Sequence, residues 1–286
     1  MTARTAVRRV GRRVSRVVGR GTAGVRMLPD FLLVGAQRAG TTSLHRALAA
    51  HPDVVTPLFH KGVHYFDVAY GRGPGWYRGH FPVAALARRR TASPAPQTFE
   101  SSGYYLHHPL AAERIHRDLP GARLLVMLRD PVERAYSAHR HEYARGFEPA
   151  ESFERALDLE PERLAGEVER LRAEPAYVSH AHRHQSYVDR GQYAEQLTRL
   201  FALFGRDRVH VLDSERFFTE PEDVYAGVLD FLGLRPWRPA EFERHNARPR
   251  APMAAATRRR LTVHFGPHDD RLEALLGRPL TWREVA

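Results

Sequence analysis

The sequence predicts an α/β fold in which a parallel sheet is covered by helices on both faces. Residues 31–34 are a short apolar run that leads through a glycine-bracketed turn into the helical pattern of residues 41–48. Residues 124–128 are an unbroken apolar run, which is typical of a strand buried on both faces. Beyond them strands alternate with helices, an order that favours a parallel sheet with ligands at the carboxyl ends of its strands.

The first half of the chain contains shorter elements. Residues 51–57 predict a short strand between prolines, and residues 60–67 suit an extended segment that ends in a loop. Residues 71–82, rich in glycine and aromatic side chains, predict a loop or short helix over a pocket. Residues 87–97 predict a surface connection, and residues 97–100 the strand that follows it.

The second half is more regular. Pro131 opens a helix that runs to about Arg145, and residues 147–183 are polar and helical in composition, which fits a substrate-facing insertion. Three later segments predict a helix, a strand and a helix, in the order residues 191–205, 207–215 and 221–234.

Composition indicates one folded domain preceded by a basic tail. A chain of 286 residues with 43% hydrophobic content can bury one good-sized core. There are no cysteines, which excludes disulfides, thiolate zinc sites and a cysteine nucleophile. Of the net charge of +11, eight arginines in residues 1–28 supply +8 and leave +3 for the rest. We therefore predict a flexible Arg-rich tail, residues 1–28, a domain at 29–286, and no nucleic-acid partner.

The tail itself allows more than one interpretation. Val7, Val10, Val14 and Val17 have helical spacing among arginines, which is the pattern of a basic amphipathic helix on an anionic membrane surface. A disordered solubilising tail, or a start codon placed too far upstream, explains it equally well. No apolar run suits a signal peptide or a membrane span. We expect a cytoplasmic protein, with peripheral contact to the inner membrane face as the alternative.

The glycine-bracketed turn between Gly35 and Gly40 predicts an anion site. Such a turn aims backbone N–H groups at one point, and the following helix N-terminus adds partial positive charge. GxxxxGTT is close to the GxxxxGK[ST] loop of P-loop NTPase-like folds, but Thr41 stands where that loop has Lys, which disfavours a kinase or ATPase. A turn without a ligand is the other interpretation. The candidate anion-binding residues are Gln37, Arg38, Ala39, Gly40, Thr41 and Thr42.

A second cluster suits a second anion. Arg129 lies at the carboxyl end of a predicted strand, and Ser137 lies two turns into the next helix. A guanidinium can fork onto phosphate oxygens while a hydroxyl adds one more hydrogen bond. A salt-bridged turn is the alternative for this Arg-Asp-Pro segment alone.

These motifs resemble those of sulfotransferases that use 3′-phosphoadenylyl sulfate (PAPS), the heparan-sulfate-type and bacterial members in particular. QRAGTT is similar to the family's QKTGTT-type loop, and RDPxERxxS is similar to its 3′-phosphate motif, with Arg129 and Ser137 matching. The resemblance covers about residues 28–282. It implies sulfuryl transfer from PAPS to a hydroxyl, or as second choice an amine, of a carbohydrate or carbohydrate-bearing metabolite, with release of adenosine 3′,5′-bisphosphate and without a metal.

The resemblance also assigns catalytic roles. Arg38 stands at the position of the family's Lys, where it would neutralise charge on the leaving oxygen, although Arg cannot release its proton. Lys61 is the only lysine among 44 basic residues, so codon bias explains Arg38 equally well.

The base is where the chain departs from the family. The family pattern KExHFFD carries a Glu base, and this chain has Gly62 there. His64 and Asp67 match supporting positions, so His64 is the first candidate base, with Asp67 orienting it. Glu100 is the other candidate. Each of these residues is alternatively an ordinary polar group near a strand end.

Three C-terminal and insertion segments complete the predictions. Residues 245–253 resemble the family loop that folds over the donor, so that Arg248 and Arg250 become candidate 3′-phosphate contacts; a solvated basic loop is the alternative. The residues after them resemble a terminal helical pair with Pro267 between the helices. HAHRH, residues 180–184, invites a metal site, but without a carboxylate pattern we predict a polar loop and no metal.

Two other functions stay open at this point. One is a nucleotide kinase of the same fold, which Thr41 argues against. The other is a catalytically impaired relative that binds anionic surfaces through its tail, an idea that Gly62 in place of the family's Glu supports.

Overall fold

The computed structural model describes residues 19–57, 61–91, 93–243 and 251–284. Its centre is a five-stranded sheet in the order β2-β3-β1-β4-β5, with every neighbouring pair parallel. The strands are β1 (Phe31–Gly35), β2 (Val54–Val55), β3 (Gln97–Ser101), β4 (Arg123–Leu128) and β5 (Val209–Asp213). The fold class predicted from the sequence is confirmed.

Helices connect and cover the strands. In chain order they are α1 (Thr41–Ala50), α2 (Tyr65–Val68), α3 (Pro74–Arg78), α4 (Ala84–Arg90), α5 (Ala111–Asp118), α6 (Pro131–Ala144), α7 (Phe153–Leu164), α8 (Glu167–Ala173), α9 (His180–His184), α10 (Tyr193–Phe204), α11 (Ser214–Thr219), α12 (Pro221–Leu232), α13 (Ala255–Leu276) and α14 (Thr281–Glu284). Among the described residues, no helix has the length and apolar character that a membrane crossing requires.

The two central strands form the hydrophobic centre of the domain. Every residue of β1 is buried, and so is β4 from Leu124 to Leu128. Successive side chains of a strand point to opposite faces, so both faces of the sheet are covered by helices. The apolar runs of the sequence predicted this burial.

The same two strands bring separate parts of the chain together. β1 and β4 are parallel neighbours, with Leu32 opposite Leu124 and Leu33 opposite Leu125. Their carboxyl ends therefore open at the same edge of the sheet, where the turn after β1 and Arg129 after β4 both lie.

The polar insertion is helical, as its composition indicates. It contains α7, α8 and α9, and α7 builds a second, smaller core with α6 and α13. Tyr136, Phe153, Tyr187 and Phe265 are among its buried members. Each helix is short and buries few side chains, which explains the weak periodicity of the sequence.

The predicted break at Pro267 is wrong. α13 runs through it from Ala255 to Leu276, and only the short α14 follows. Proline inside a helix removes one hydrogen bond and usually kinks it. Here buried Leu261 and Phe265 before the proline and Leu272 after it pack both halves against the domain, and this packing outweighs the lost bond.

Two predictions in the first half are also wrong in part. The extended segment of residues 60–67 gives way to α2, in which consecutive Tyr65, Phe66 and Asp67 are all buried. Arg114 Nη1 stabilises this turn by donating to the Phe66 carbonyl at 2.9 Å. The surface connection of residues 87–97 begins later than predicted, because α4 continues to Arg90.

The last residues of the predicted tail lie against the domain. Arg26 is 6% exposed and donates from Nη1 to the Phe81 carbonyl at 2.6 Å. The Met27 N–H donates to the Pro82 carbonyl at 2.9 Å. The valine pattern of residues 7–17 lies outside the described residues, so the amphipathic-helix interpretation stays a prediction.

Candidate active site

The turn after β1, residues 36–42, is called the anion loop below. Gly40 lies at φ 89°, and a Cβ there would come within 2.9 Å of Phe218 Cε2, so the position requires glycine. Gly40 is also the N-cap of α1 and has no side chain with which to cap the helix. The first-turn N–H groups and the helix dipole therefore leave partial positive charge at this point.

The second predicted cluster contacts the anion loop directly. Arg38 Nε donates a hydrogen bond to Ser137 Oγ on α6 at 3.1 Å. Arg129 Nη1 donates to the Arg38 carbonyl at 3.3 Å. The two clusters, almost a hundred residues apart in sequence, thus form one basic site at the carboxyl edge of the sheet.

Arg129 is held between two carboxylates. Its Nη2 lies 3.7 Å from Glu133 Oε2, its Nε lies 3.9 Å from Glu215 Oε1, and the side chain is 23% exposed. Burial, together with the negative charge of Asp213, raises the pKa of Glu215 to about 7. Both ion pairs are long and therefore weak, so the guanidinium can exchange them for shorter hydrogen bonds to a phosphate.

The side chain of Gln37 is used within the protein. Its Nε2 donates to Glu142 Oε1 at 3.1 Å, and its Oε1 accepts from Arg190 Nη1. Glu142 also pairs with His184 Nδ1 at 2.9 Å. Gln37 therefore ties the anion loop to α6 and α9, and of its own groups only the backbone is suited to a ligand.

His64 and Asp67 form the predicted pair. His64 Nδ1 lies 2.7 Å from Asp67 Oδ2, while the imidazole side chain is 37% exposed and the carboxylate is 0% exposed. Burial alone lowers the pKa of His64, but the hydrogen bond and the charge of Asp67 outweigh it, so the pKa lies above its usual value. The pair leaves Nε2 as the nitrogen that can exchange a proton with a ligand.

Glu100, the other candidate base, is fully enclosed. It is 0% exposed, and its oxygens accept from Tyr105 and Tyr77 hydroxyls at 2.8 and 3.0 Å, from Ser102 Oγ at 2.9 Å and from the Val63 N–H. Burial raises its pKa in spite of these donors. The carboxylate thus organises the segment that carries His64.

Gly62 is required by close packing. A Cβ at this position would lie 2.4 Å from the Ser101 carbonyl oxygen and 2.6 Å from Ser102 Oγ. The His64 N–H donates to the same Ser102 Oγ at 3.1 Å. The Glu of the family pattern therefore has no space on this backbone. Glycine at position 62 explains both the absence of that carboxylate and the close packing against Ser101 and Ser102.

Lys61, to which the sequence analysis assigned no role, reaches the anion loop. Its Nζ donates to Thr42 Oγ1 at 3.0 Å and lies 3.4 Å from Thr41 Oγ1. The available signal was that the only lysine of the chain stands next to the Gly62 departure.

Other candidates fall outside this geometry. Arg248 and Arg250 lie outside the described residues, so their predicted phosphate contacts stay predictions. HAHRH forms α9 rather than a loop, and its His182 meets His107 and Asp189 with ligand atoms within 4.8 Å. Burial lowers the pKa of both histidines, and their rings stack at 4.1 Å, which fits a buried pair of neutral imidazoles.

The family model for the sulfotransferase domain matches residues 28–246 of this chain. The crystal structure of a sulfotransferase from Alicyclobacillus acidocaldarius is 31% identical, covers 90% of this chain and 99% of its own, and superposes with a TM-score of 0.65.

Curated relatives are more distant. The bifunctional heparan sulfate N-deacetylase/N-sulfotransferase of Drosophila melanogaster is 28% identical over 73% of this chain, but the match spans only 20% of the fly protein. The membrane-associated sulfotransferase kil1 of Dictyostelium discoideum is 24% identical, with 90% of this chain and 67% of kil1 covered.

Proposed function

This chain belongs to the sulfotransferase domain family, and from that premise we propose that it moves a sulfuryl group from PAPS to a hydroxyl of a carbohydrate or carbohydrate-bearing metabolite. The observation that carries the proposal is the 3.1 Å contact between Arg38 Nε and Ser137 Oγ. It joins two anion sites at one edge of the sheet, as a donor with a phosphosulfate at one end and a 3′-phosphate at the other requires.

The residues fit such a donor. The anion loop, with Arg38, Thr41 and Thr42 at an uncapped helix N-terminus, suits the phosphosulfate. Arg129 and Ser137 suit the 3′-phosphate, since a guanidinium and a hydroxyl supply several donors to one phosphate. Bound there, PAPS supplies a sulfuryl group activated by its bond to phosphate.

In the proposed reaction the acceptor oxygen bonds to sulfur while the bond between sulfur and the bridging oxygen breaks. The electron pair of that bond stays on the phosphate of adenosine 3′,5′-bisphosphate. The acceptor proton goes to His64 Nε2, with Nδ1 held by Asp67 at 2.7 Å. Arg38 neutralises charge at the leaving oxygen without transferring a proton.

Between the two candidate bases, the geometry supports His64. Its imidazole is partly exposed, whereas Glu100 is enclosed and both its oxygens already accept hydrogen bonds. A base must reach the proton that it removes. We therefore propose that Glu100 supports the segment of residues 61–65 and does not contact the acceptor.

The acceptor class rests on the relatives. One of them is named for heparan sulfate, a carbohydrate, and for N-sulfotransfer, which keeps an amine as the second choice. Screening hydroxyl and amine sugars with ³⁵S-labelled PAPS tests this step. Label transfer to sugars would support the proposal, and release of label only as free sulfate would count against it.

The donor is tested separately by thermal stabilisation. We expect adenosine 3′,5′-bisphosphate without metal to raise the melting temperature, and Mg-ATP at the same concentration to have little effect. The reverse order would favour the nucleotide kinase instead.

We also propose that the Arg-rich tail binds an anionic membrane surface. Its arginines, residues 4–26, suit an anionic membrane face, and kil1 is named as membrane-associated. Sedimentation with vesicles that contain anionic lipid, with and without residues 1–18, tests whether a cytoplasmic enzyme gains membrane contact this way.

A further inference from the structure

Lys61 is fixed at the anion loop by its backbone. The Ser101 N–H at the end of β3 donates to the Lys61 carbonyl at 2.8 Å. This bond is possible because Gly62 has no Cβ, which would otherwise lie 2.4 Å from the Ser101 carbonyl oxygen. From that anchor the side chain extends to the threonine hydroxyls of α1.

The ammonium group has no counterion in the described part of the chain. No carboxylate there forms an ion pair with it, and the charges that act on it, Arg38 and Arg46, are both positive. Burial first, and then these two arginines, lower the pKa of Lys61 to about 8. His45, the remaining titratable group beside it on α1, is neutral because burial, together with Lys61 and Arg46, lowers its pKa to about 3.

A buried ammonium group without a counterion is costly in free energy unless an anion binds beside it. Two cations, Arg38 and Lys61, meet at one loop beside a helix N-terminus, whereas Arg129 nearby has two carboxylates. An anion at the loop would relieve the repulsion, and its oxygens would replace the weak hydroxyl contacts of Lys61.

We propose that Lys61 is a second catalytic cation of this site, which contacts the phosphosulfate end of PAPS and stabilises negative charge on the leaving phosphate oxygen. This inference rests on the proposed function. It gives the phosphosulfate end two cations on different sides of the loop: Arg38, whose Nε donates to Ser137, and Lys61, which lies on the α1 side. Lys61 donates hydrogen bonds and keeps its proton in the step.

The unusual composition of the chain makes the inference directly testable. Lys61 is the only lysine, so an amine-acylating reagent can modify only this side chain and the N-terminal amine. Peptide mass mapping separates the two. With saturating adenosine 3′,5′-bisphosphate, we expect acylation of Lys61 at pH 8 to slow at least about tenfold, while acylation of the N-terminus is unchanged.

The outcome also separates the two proposals. If calorimetry shows bisphosphate binding while Lys61 acylation keeps its rate, the role of Lys61 is wrong and the proposed function stands. If no bisphosphate binds, both are wrong.

Substitutions supply a second readout. Lys61→Met keeps the length of the side chain, and we expect it to weaken bisphosphate binding about 10- to 100-fold and to lower kcat further. Lys61→Arg should restore most of the binding. The matched control is Arg46→Met, which removes an exposed cation from α1, the helix whose threonines Lys61 contacts. It should change bisphosphate affinity less than about twofold.

A structural role for Lys61 predicts different results. It would make Lys61→Met lower the melting temperature of the free protein. We expect no loss, because the substitution removes an ammonium repelled by Arg38 and Arg46. A destabilised Lys61→Met protein with unchanged bisphosphate affinity would overturn the inference.

Discussion

Arg38 Nε and Ser137 Oγ lie 3.1 Å apart, although 99 positions separate them in the sequence. One belongs to the loop after β1 and the other to the helix after β4, and the two strands are neighbours in the sheet. This contact turns two separate anion motifs into one site.

Arg129→Ala should weaken binding of adenosine 3′,5′-bisphosphate about 10- to 100-fold, since hydrogen bonds between charged groups contribute about 1.5–3 kcal/mol. Calorimetry measures this affinity. Arg216→Ala, which removes an exposed arginine paired only with Glu220 in the described residues, is the control and should bind normally. Equal affinities for both variants would remove Arg129 from the site.

His64→Ala should lower kcat about 10²- to 10⁴-fold while bisphosphate affinity stays nearly unchanged. The reason is that the proposed function assigns His64 to the acceptor and the anion loop to the donor. Normal turnover of this variant on a true acceptor would exclude His64 as the base.

The pH profile tests the His64–Asp67 pair independently. A base must be neutral to accept a proton, so if His64 is the base, activity should fall as pH drops through the His64 pKa, which lies above the ordinary 6.5. Asp67→Asn removes the charge that raises this pKa, so the acid limb of kcat/KM should move to lower pH. An acid limb that does not move would separate Asp67 from His64.

Donor affinity should itself depend on pH. Glu215, with a pKa raised to about 7 by burial and by Asp213, competes as an anion for Arg129. Protonation of Glu215 removes that competition, so bisphosphate should bind more tightly as pH falls from 7.5 to 6.5, by at most about tenfold per pH unit for this one linked proton. Glu215→Gln should flatten the slope between pH 6.5 and 7.5, and an unchanged slope would assign it to another group.

Gly62→Glu should not restore the base of the family pattern. The new Cβ would lie 2.4 Å from the Ser101 carbonyl oxygen, and overpacking of this kind costs about 1–3 kcal/mol of unfolding free energy. Thermal denaturation should show a clear loss for Gly62→Glu and none for Gly75→Ala, where an added Cβ would meet no atom within 4 Å outside its chain neighbours and its own helix backbone. A stable and more active Gly62→Glu enzyme would show that the close approach is not required.

Much of this site could be predicted from the sequence because its parts are local. A strand, a glycine turn and a helix specify the anion loop, and neighbouring parallel strands place Arg129 beside it. Periodicity also predicted most helices and strands. Two of the exceptions, Pro267 inside α13 and the turn at Tyr65, depend on tertiary packing that overrides local preference.

The role of Lys61 could not be predicted for a related reason. Its position depends on a close approach between residue 62 and the end of β3, which no local pattern encodes. The enclosure of Glu100 likewise depends on donors from an earlier part of the chain, the Val63 N–H and the Tyr77 hydroxyl. Sequence pattern identified these polar residues, and the packing decides which of them an acceptor can reach.

The central claim is that one doubly anionic donor joins the two clusters. Calorimetry of adenosine 3′,5′-bisphosphate against adenosine 3′-monophosphate and adenosine 5′-monophosphate tests it most directly. We predict that the bisphosphate binds at least about 100-fold more tightly than either monophosphate, because each phosphate gains its own charge-assisted hydrogen bonds. Affinity for one monophosphate equal to that for the bisphosphate would contradict the account.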